Sequence, residues 1–281
     1  MPAVLTHEWL FGAYLLFMTV GLLANSGLID ANTLSYLAGL LVAGGLIALT
    51  ARRDTPTMWR TRLLFYPLAM NVYFQLMRRA VPAVHPAMMD TALRRIDQWL
   101  LPDTPALLLE PLVTPWATEA FSFFYILFFP YLTFSLITYA VGDLGRLRAF
   151  TVGLFSLYGI GFLGYALVPA GGPYLAFARE FTVPLVGGPI TDWNAAIVRA
   201  GSIGVDVFPS LHVAVSSFLL GFDFRHQRRR FWLYLVPCVG LWLSTLFLRY
   251  HYLIDVLFGF ALAALALWLA ERQFARERIP A

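Results

Sequence analysis

Residues 239–270 read "VGLWLSTLFLRYHYLIDVLFGFALAALALWLA". Both flanks are apolar enough for a bilayer, where a spanning helix needs about 20 such residues. The centre, "RYHYLID" (Arg249 to Asp255), is not. Ionisable side chains at membrane depth are costly and mark function. His251 and Asp255 stand four positions apart, about one helical turn, which places both side chains on one face. The stretch predicts two membrane helices that meet at one surface and hold ionisable groups there.

The rest of the chain has the same character. Of its 281 residues, 59% are hydrophobic and 13% charged, against about 25% charged in a soluble domain. Hydropathy predicts eight spans, roughly 8–28, 31–50, 62–80, 116–141, 149–168, 209–223, 231–248 and 251–270. The expected fold is all-α, a polytopic membrane helix bundle of about eight transmembrane helices, with no soluble domain and no fixed-period repeat. Residues 1–8 lack the basic start of a cleavable leader, and the first apolar run is long enough to span. The one cysteine, Cys238, excludes an internal disulfide and a cysteine-rich metal site. All twenty basic residues are arginine and cluster at segment ends, which is a membrane pattern and not a nucleic-acid footprint.

Eight spans put both termini on one side. That side receives thirteen arginines and the other seven, so the positive-inside rule makes both termini cytoplasmic, in an inner or plasma membrane. The end of the fifth span and the starts of the sixth and eighth then face away from the cytoplasm. Two connections are long. In the first, "MMDTALRRIDQWLL" puts Met89, Leu93, Ile96 and Leu100 on one face and Asp90, Arg94 and Asp97 opposite. It reads as a helix in the membrane interface, with Trp99 at headgroup level, or as an amphipathic helix packed on the protein. The second, about 169 to 208, is rich in Gly and Pro, as binding loops often are.

Topology gathers three unusual stretches at one membrane face: "VPAGGPY" (Val168 to Tyr174), "FPSLH" (Phe208 to His212) and "RYHYLID". Two histidines and a carboxylate suit three chemistries. In phosphoryl transfer, His251 attacks phosphorus, Asp255 orients its other ring nitrogen, and His212 protonates the leaving oxygen. In a metal site, the same three residues hold zinc or iron. In a serine mechanism, Ser210 or Ser244 attacks with a histidine base, although no G-x-S-x-G elbow is present. A transporter with a buried His/Asp relay is the rival outside enzymes, but no inverted repeat or pair of broken helices supports it.

"FPSLH", followed some 40 residues later by "HYLID", resembles the second and third motifs of the type 2 phosphatidic acid phosphatase superfamily. The likeness is greatest to the branch of fungal inositol phosphorylceramide synthase and sphingomyelin synthase. Ser244 and Thr245 before the third motif, Asp206 six before His212, and "RRIDQWLLPDTP" resemble features of that branch. The resemblance covers roughly residues 60–271 and implies a six-helix phosphatase-type core at 59–272, after two helices in 1–58 and before a cytoplasmic tail at 273–281. It implies a metal-independent enzyme without cofactor, in which His251 is the nucleophile, Asp255 its orienting partner and His212 the general acid. Ser210 and the Leu211 amide would bind phosphate at a helix N-terminus, joined by Arg249, Asp206 and the loop residues Gly171, Gly172 and Tyr174. The superfamily's first motif, K-x6-R-P, is absent before Pro169 and Pro173, and Thr245 stands where the third motif usually has arginine. Arg249 is the nearest replacement, with Arg179 and Arg199 as loop alternatives. The substrate implied is a membrane lipid phosphoester, its phosphate or phospho-headgroup passing to water or an alcohol lipid.

Overall fold

A computed structural model describes residues 4–277 of the chain; the first three residues of the 1–8 stretch and residues 278–281 of the expected tail, with one of the thirteen arginines counted above, lie outside the described residues. About 80% of the protein is helical, with no strand among the described residues. The helices are α1 (Thr6–Ser26), α2 (Ala31–Arg52), α3 (Pro56–Val84), α4 (Asp90–Leu100), α5 (Pro105–Leu108), α6 (Pro115–Ile126), α7 (Phe128–Val141), α8 (Leu144–Leu167), α9 (Pro173–Ala176), α10 (Pro189–Gly201), α11 (Leu211–His226), α12 (Arg228–Phe247) and α13 (Leu253–Glu277). A 3₁₀ turn covers Glu110–Leu112. Local chemistry sets several starts. Asp30 caps α2 by accepting from the amides of Asn32 and Thr33 at 2.9 and 3.1 Å. Thr55 and Thr114 cap α3 and α6, each with proline at the first helical position.

Six helical stretches are long and apolar enough to cross a membrane: α1, α2, Pro115–Val141, α8, α12 and α13. The protein is thus an integral membrane helix bundle. The expectation of eight spans changes at two helices. α3 has 29 residues but carries Arg60, Arg62, Arg78 and Arg79, which dilute its hydropathy. α11 has 16 residues, only about 24 Å of rise.

The described residues fall into two compact units. The first lies within Met1–Ala87, Leu136–Leu167 and Ala264–Ala281. There α1 packs on α2, α3 and α8, and α3 packs on α8. α8 is apolar on every side and buried on nearly every side, as its pattern requires. Arg62, taken above as a marker of the cytoplasmic side, is fully buried; its Nε donates to Glu8 Oε1 at 2.6 Å. Its partner sets its position, not the headgroup layer.

The second unit spans Met88–Ser135 and Val168–Ala263. Only Gln227 separates α11 from α12, and the two pack along each other. The hairpin is closed by Asp223, which accepts from Arg230 Nε at 2.6 Å and from the Tyr131 hydroxyl at 2.8 Å. Arg230 is therefore a buried structural residue within "RHQRRR" and not a surface charge. α6 packs against both α10 and α12. Glu119 of α6 accepts from the amides of Gly188, Ile190 and Thr191 and from the Thr191 hydroxyl. It thereby caps α10, since the first amides of a helix have no partner of their own.

The acids of α4 depart from the interface-helix pattern. Asp90 and Asp97 are buried, while Ile96, Trp99 and Leu100 are exposed. Only Leu93 of the apolar face enters a core, with Ala170, Val207 and Tyr252. The acids face inward because they have partners. Asp97 accepts from the Leu253 and Ile254 amides at 2.9 and 3.0 Å and from the Thr104 hydroxyl at 2.8 Å, so it caps α13 from another helix. Asp90 accepts from the amides of Gly171 and Gly172 and from the Tyr252 hydroxyl.

Candidate active site

α12 ends in a tight reversal. The Leu248 amide bonds to the Ser244 carbonyl, and the Tyr250 and His251 amides both reach the Thr245 carbonyl at 3.0 Å. Arg249 sits inside this turn with φ 67°, the left-handed region that side chains disfavour by about 1–2 kcal/mol. Such a residue persists only where its surroundings hold it; here the Arg249 carbonyl accepts from the Tyr174 amide at 2.9 Å. His251 therefore precedes α13 and does not lie on it. His251 and Asp255 meet across the helix start and not down one helical face.

Asp255 Oδ2 accepts from the Tyr252 amide at 2.9 Å and lies 3.5 Å from His251 Nδ1. That separation is an approach and not yet a hydrogen bond. Nδ1 and Asp255 Oδ1 are buried and have no hydrogen-bond partner. The Asp255 carbonyl accepts from the Ser210 amide at 3.1 Å, which ties the two motifs together through the backbone. Gly259 permits this approach: a Cβ there would stand 2.8 Å from the Ser210 carbonyl.

Ser210 caps α11 by accepting from the Val213 amide at 3.4 Å. His212, in the first turn, brings its ring centroid to 5.9 Å from that of His251, at 62°. Its Nε2 meets the Tyr125 hydroxyl at 3.1 Å, and its ring packs against Tyr125 and Phe128. His212, His251, Asp206, Gly171, Tyr174 and Tyr125 line one small cavity of about 30 Å³. That is room for a water-sized group. Asp206 accepts from the Ser202 hydroxyl at 3.0 Å, which in turn accepts from the Tyr174 hydroxyl at 3.2 Å. Burial pushes the Asp206 carboxyl up from its ordinary range, against the pull of the Ser202 hydrogen bond.

The other expected residues stand around this cavity. Gly172 has φ 87° and packs against the Tyr250 carbonyl so closely that a Cβ would collide with it. The amides of Gly171 and Gly172 are spent on Asp90. Ser210 and Leu211 stand at the start of α11 and are not among the residues that line the cavity. Arg249 turns its guanidinium away from it. Nη2 donates to the Val183 carbonyl at 2.6 Å and lies 3.5 Å from Glu110, and the group covers the Phe181 ring. Arg179 and Arg199 are exposed, and Arg199 lines a second cavity beside the first. Ser244 donates to the Leu241 carbonyl of its own helix and is fully buried, which leaves it no histidine base. Among the described residues no three His, Cys, Asp or Glu side chains form a metal-holding group.

Tyr125, Asp90 and Asp97 escaped the sequence reading of the site. Tyr125 carried one signal, a phenol in the phenylalanine-rich run "FSFFYILFFP". The acids carried theirs in a seven-residue spacing that puts both on one helix face.

The sequence model of the PAP2 superfamily matches residues 91–269. Among curated proteins and solved structures, nothing matches.

Proposed function

Because the chain belongs to the PAP2 superfamily, we propose that it is a membrane lipid phosphotransferase or phosphatase that works through a phosphohistidine at His251. The observation that carries this reading is the pair of imidazoles, 5.9 Å apart over one cavity, with Asp255 behind only one of them. Asp255 addresses Nδ1 of His251, which leaves Nε2 for phosphorus. The Nε2–P bond forms as the bond from phosphorus to the lipid's alcohol oxygen breaks, and His212 supplies the proton to that oxygen. In the second half, water or a lipid alcohol attacks phosphorus, His212 takes its proton, and the P–N bond breaks. The Tyr125 hydroxyl stands at His212 Nε2 where the leaving oxygen would stand, and keeps that nitrogen solvated between turnovers.

Charge on the phosphate needs a cation and oriented amides. Ser210 and the Leu211 amide, at the start of α11, suit the amide role, and Asp206, Gly171, Gly172 and Tyr174 form the loop wall. Arg249 serves if it exchanges Glu110 for substrate; Arg199, exposed at the neighbouring cavity, is the alternative. Transfer to a lipid alcohol, as in the inositol phosphorylceramide and sphingomyelin synthase branch, is the favoured outcome because the first-motif cations of the phosphatases are missing. We place both termini in the cytoplasm and the site on the opposite face. The arginine asymmetry supports this side. So does the α11–α12 hairpin, whose open end joins the two histidines, so that α11 traverses the same depth as α12 despite its length.

The purified enzyme would be mixed with radiolabelled phosphatidic acid and other labelled glycerophospholipids, then quenched. Acid-labile, base-stable label on the wild type, absent from His251→Ala and accumulating in the presence of chelators, is the expected result. Activity abolished by chelation and restored by zinc would replace this reading with the metal one. No turnover with any phosphoester, beside substrate flux in vesicles, would favour the transporter.

A further inference from the structure

Beside the histidine cavity lies a larger one of about 190 Å³, bounded by α6, α10 and the residues that follow α12. Tyr174, Val198 and Tyr250 line both, so one layer of side chains separates them. Leu185, Ala195 and Leu248 make much of the larger cavity apolar. Thr118, Thr191 and Arg199 also line it; the two threonine hydroxyls are spent on the Thr114 carbonyl and on Glu119, and Arg199 is exposed at its edge. Two further polar groups have an unpaired atom. Ser122 is fully buried and its hydroxyl has no hydrogen-bond partner. Asn194 is 2% exposed; its Nδ2 donates to the Tyr250 hydroxyl at 2.9 Å, while its Oδ1 has no partner. Buried polar atoms are nearly always paired, so two orphans on residues that line one cavity ask for a ligand that pairs both.

The ligand's chemistry follows from these atoms. Asn194 Oδ1 can only accept, so the ligand brings an O–H or N–H. Ser122 Oγ takes a second polar group of either kind. Leu185, Ala195, Val198 and Leu248 suit a hydrocarbon body. The volume is on the order of six water volumes at about 30 Å³ each, enough for the polar end of a lipid and its first carbons but not for whole chains. The geometry points to a subsite for the hydroxyl-bearing end of a lipid alcohol, held by Ser122 and Asn194 one tyrosine layer from the phosphoryl-carrying histidine. This rests on the phosphohistidine reading for its role, because the alcohol oxygen would attack phosphorus past Tyr250. Tyr250 is suited to gate that path: it lines both cavities, packs tilted against Tyr125 with ring centroids 4.8 Å apart and is held by Asn194 itself. Asn194 would thus receive the alcohol at Oδ1 while its Nδ2 holds Tyr250 in place.

The test is binding, which does not depend on turnover. Thermal stabilisation of the full-length protein in detergent is titrated with dioctanoylglycerol, with N-hexanoyl sphingosine and with the methyl ether of dioctanoylglycerol, which keeps the chains and lacks the hydroxyl. One or both alcohols should stabilise the protein saturably, and the ether should not. Ser122→Ala should raise the half-saturating concentration about tenfold through the lost hydrogen bond. Ala195→Leu, which fills the cavity and leaves both polar groups in place, should do the same if Ser122→Ala disturbs α6. Running the titration on His251→Ala keeps the two readings apart, because that protein still binds the alcohol if the subsite is real, whatever becomes of the phosphohistidine. Stabilisation by the ether equal to that by the alcohols, or half-saturation unchanged in both variants, would overturn the subsite.

Discussion

Replacing Asp97 with alanine should damage catalysis without touching any group at the histidine pair. The carboxylate is fully buried and makes three hydrogen bonds: two from the first amides of α13 and one from Thr104. Alanine leaves two half-buried amides without acceptors. Each such loss costs about 1–3 kcal/mol, and N-cap removals alone run to about 2 kcal/mol. A total of about 3 kcal/mol follows, or about 6–12 °C in midpoint at the roughly 2–4 °C per kcal/mol expected of a domain of 150–250 residues. α13 starts two residues after His251 and carries Asp255 in its first turn. A frayed start therefore lengthens the 3.5 Å approach between them, and turnover should fall by about 10²-fold with KM little altered. Asp97→Asn keeps one acceptor oxygen and should give intermediate losses of both kinds. Thermal unfolding in detergent and steady-state kinetics on the same preparations measure the series. A midpoint for Asp97→Ala within error of wild type, with full turnover, would refute the idea that α4 positions the nucleophile.

Tyr125→Phe removes the partner of His212 Nε2 and little else; turnover should drop about tenfold, near 1.4 kcal/mol, with stability unchanged, as paired kinetics and melting curves would reveal. Gly172→Ala forces a side chain into φ 87° and against the Tyr250 carbonyl, so the variant should lose most activity and several degrees of midpoint, whereas Gly201→Ala, with open space at its Cβ, should not. Asp206 has a raised carboxyl pKa in the folded chain, so the folded state holds its proton more tightly than the unfolded one. Its stabilising contribution is complete below the ordinary carboxylate value and is lost as pH rises through the folded value. Asp206→Asn should accordingly flatten the fall in melting temperature from pH 4 upward, and an unchanged slope would show that the folded chain does not hold this proton more tightly. Arg249→Lys should cost at least about tenfold in turnover if its planar fork reaches the phosphate; a full rate for Arg249→Lys beside a collapse for Arg199→Lys would transfer that role to the neighbouring cavity.

Hydropathy located every long helix, because a chain in lipid must pair its backbone internally and show apolar side chains outward. At α3 and α11 the link between apolarity and length is weaker, because α3 carries four arginines, one of them in a buried ion pair, and α11 has only 16 residues. His251, Asp255 and His212 stood out because ionisable side chains are rare in such surroundings. Their pairing was legible in spacing, although the structure achieves it at a helix start and not on a helix face. Asp90 and Asp97 were read as a solvent face since amphipathic periodicity records only which side a residue lies on. Their partners lie 81 and 156 positions away, and no periodic pattern encodes a partner at that distance. Tyr125, Ser122 and Asn194 were hidden for the same reason: what matters about each is a single atom's relation to another helix.

The eleven residues of α4 also bear on how such an enzyme is handled at the bench. One face carries Ile96, Trp99 and Leu100, 86% exposed in the case of the tryptophan, and suits the headgroup layer. The other face grips the glycine loop and the start of α13. Lipid packing and catalytic alignment thus act on one short rigid body. A harsh surfactant that strips lipid from around Trp99 would slacken the grip on both loops at once, and the protein would look inactive while its long helices remained intact. Returning it to a bilayer would restore the rate, so a preparation that appears dead in micelles is better judged after reconstitution.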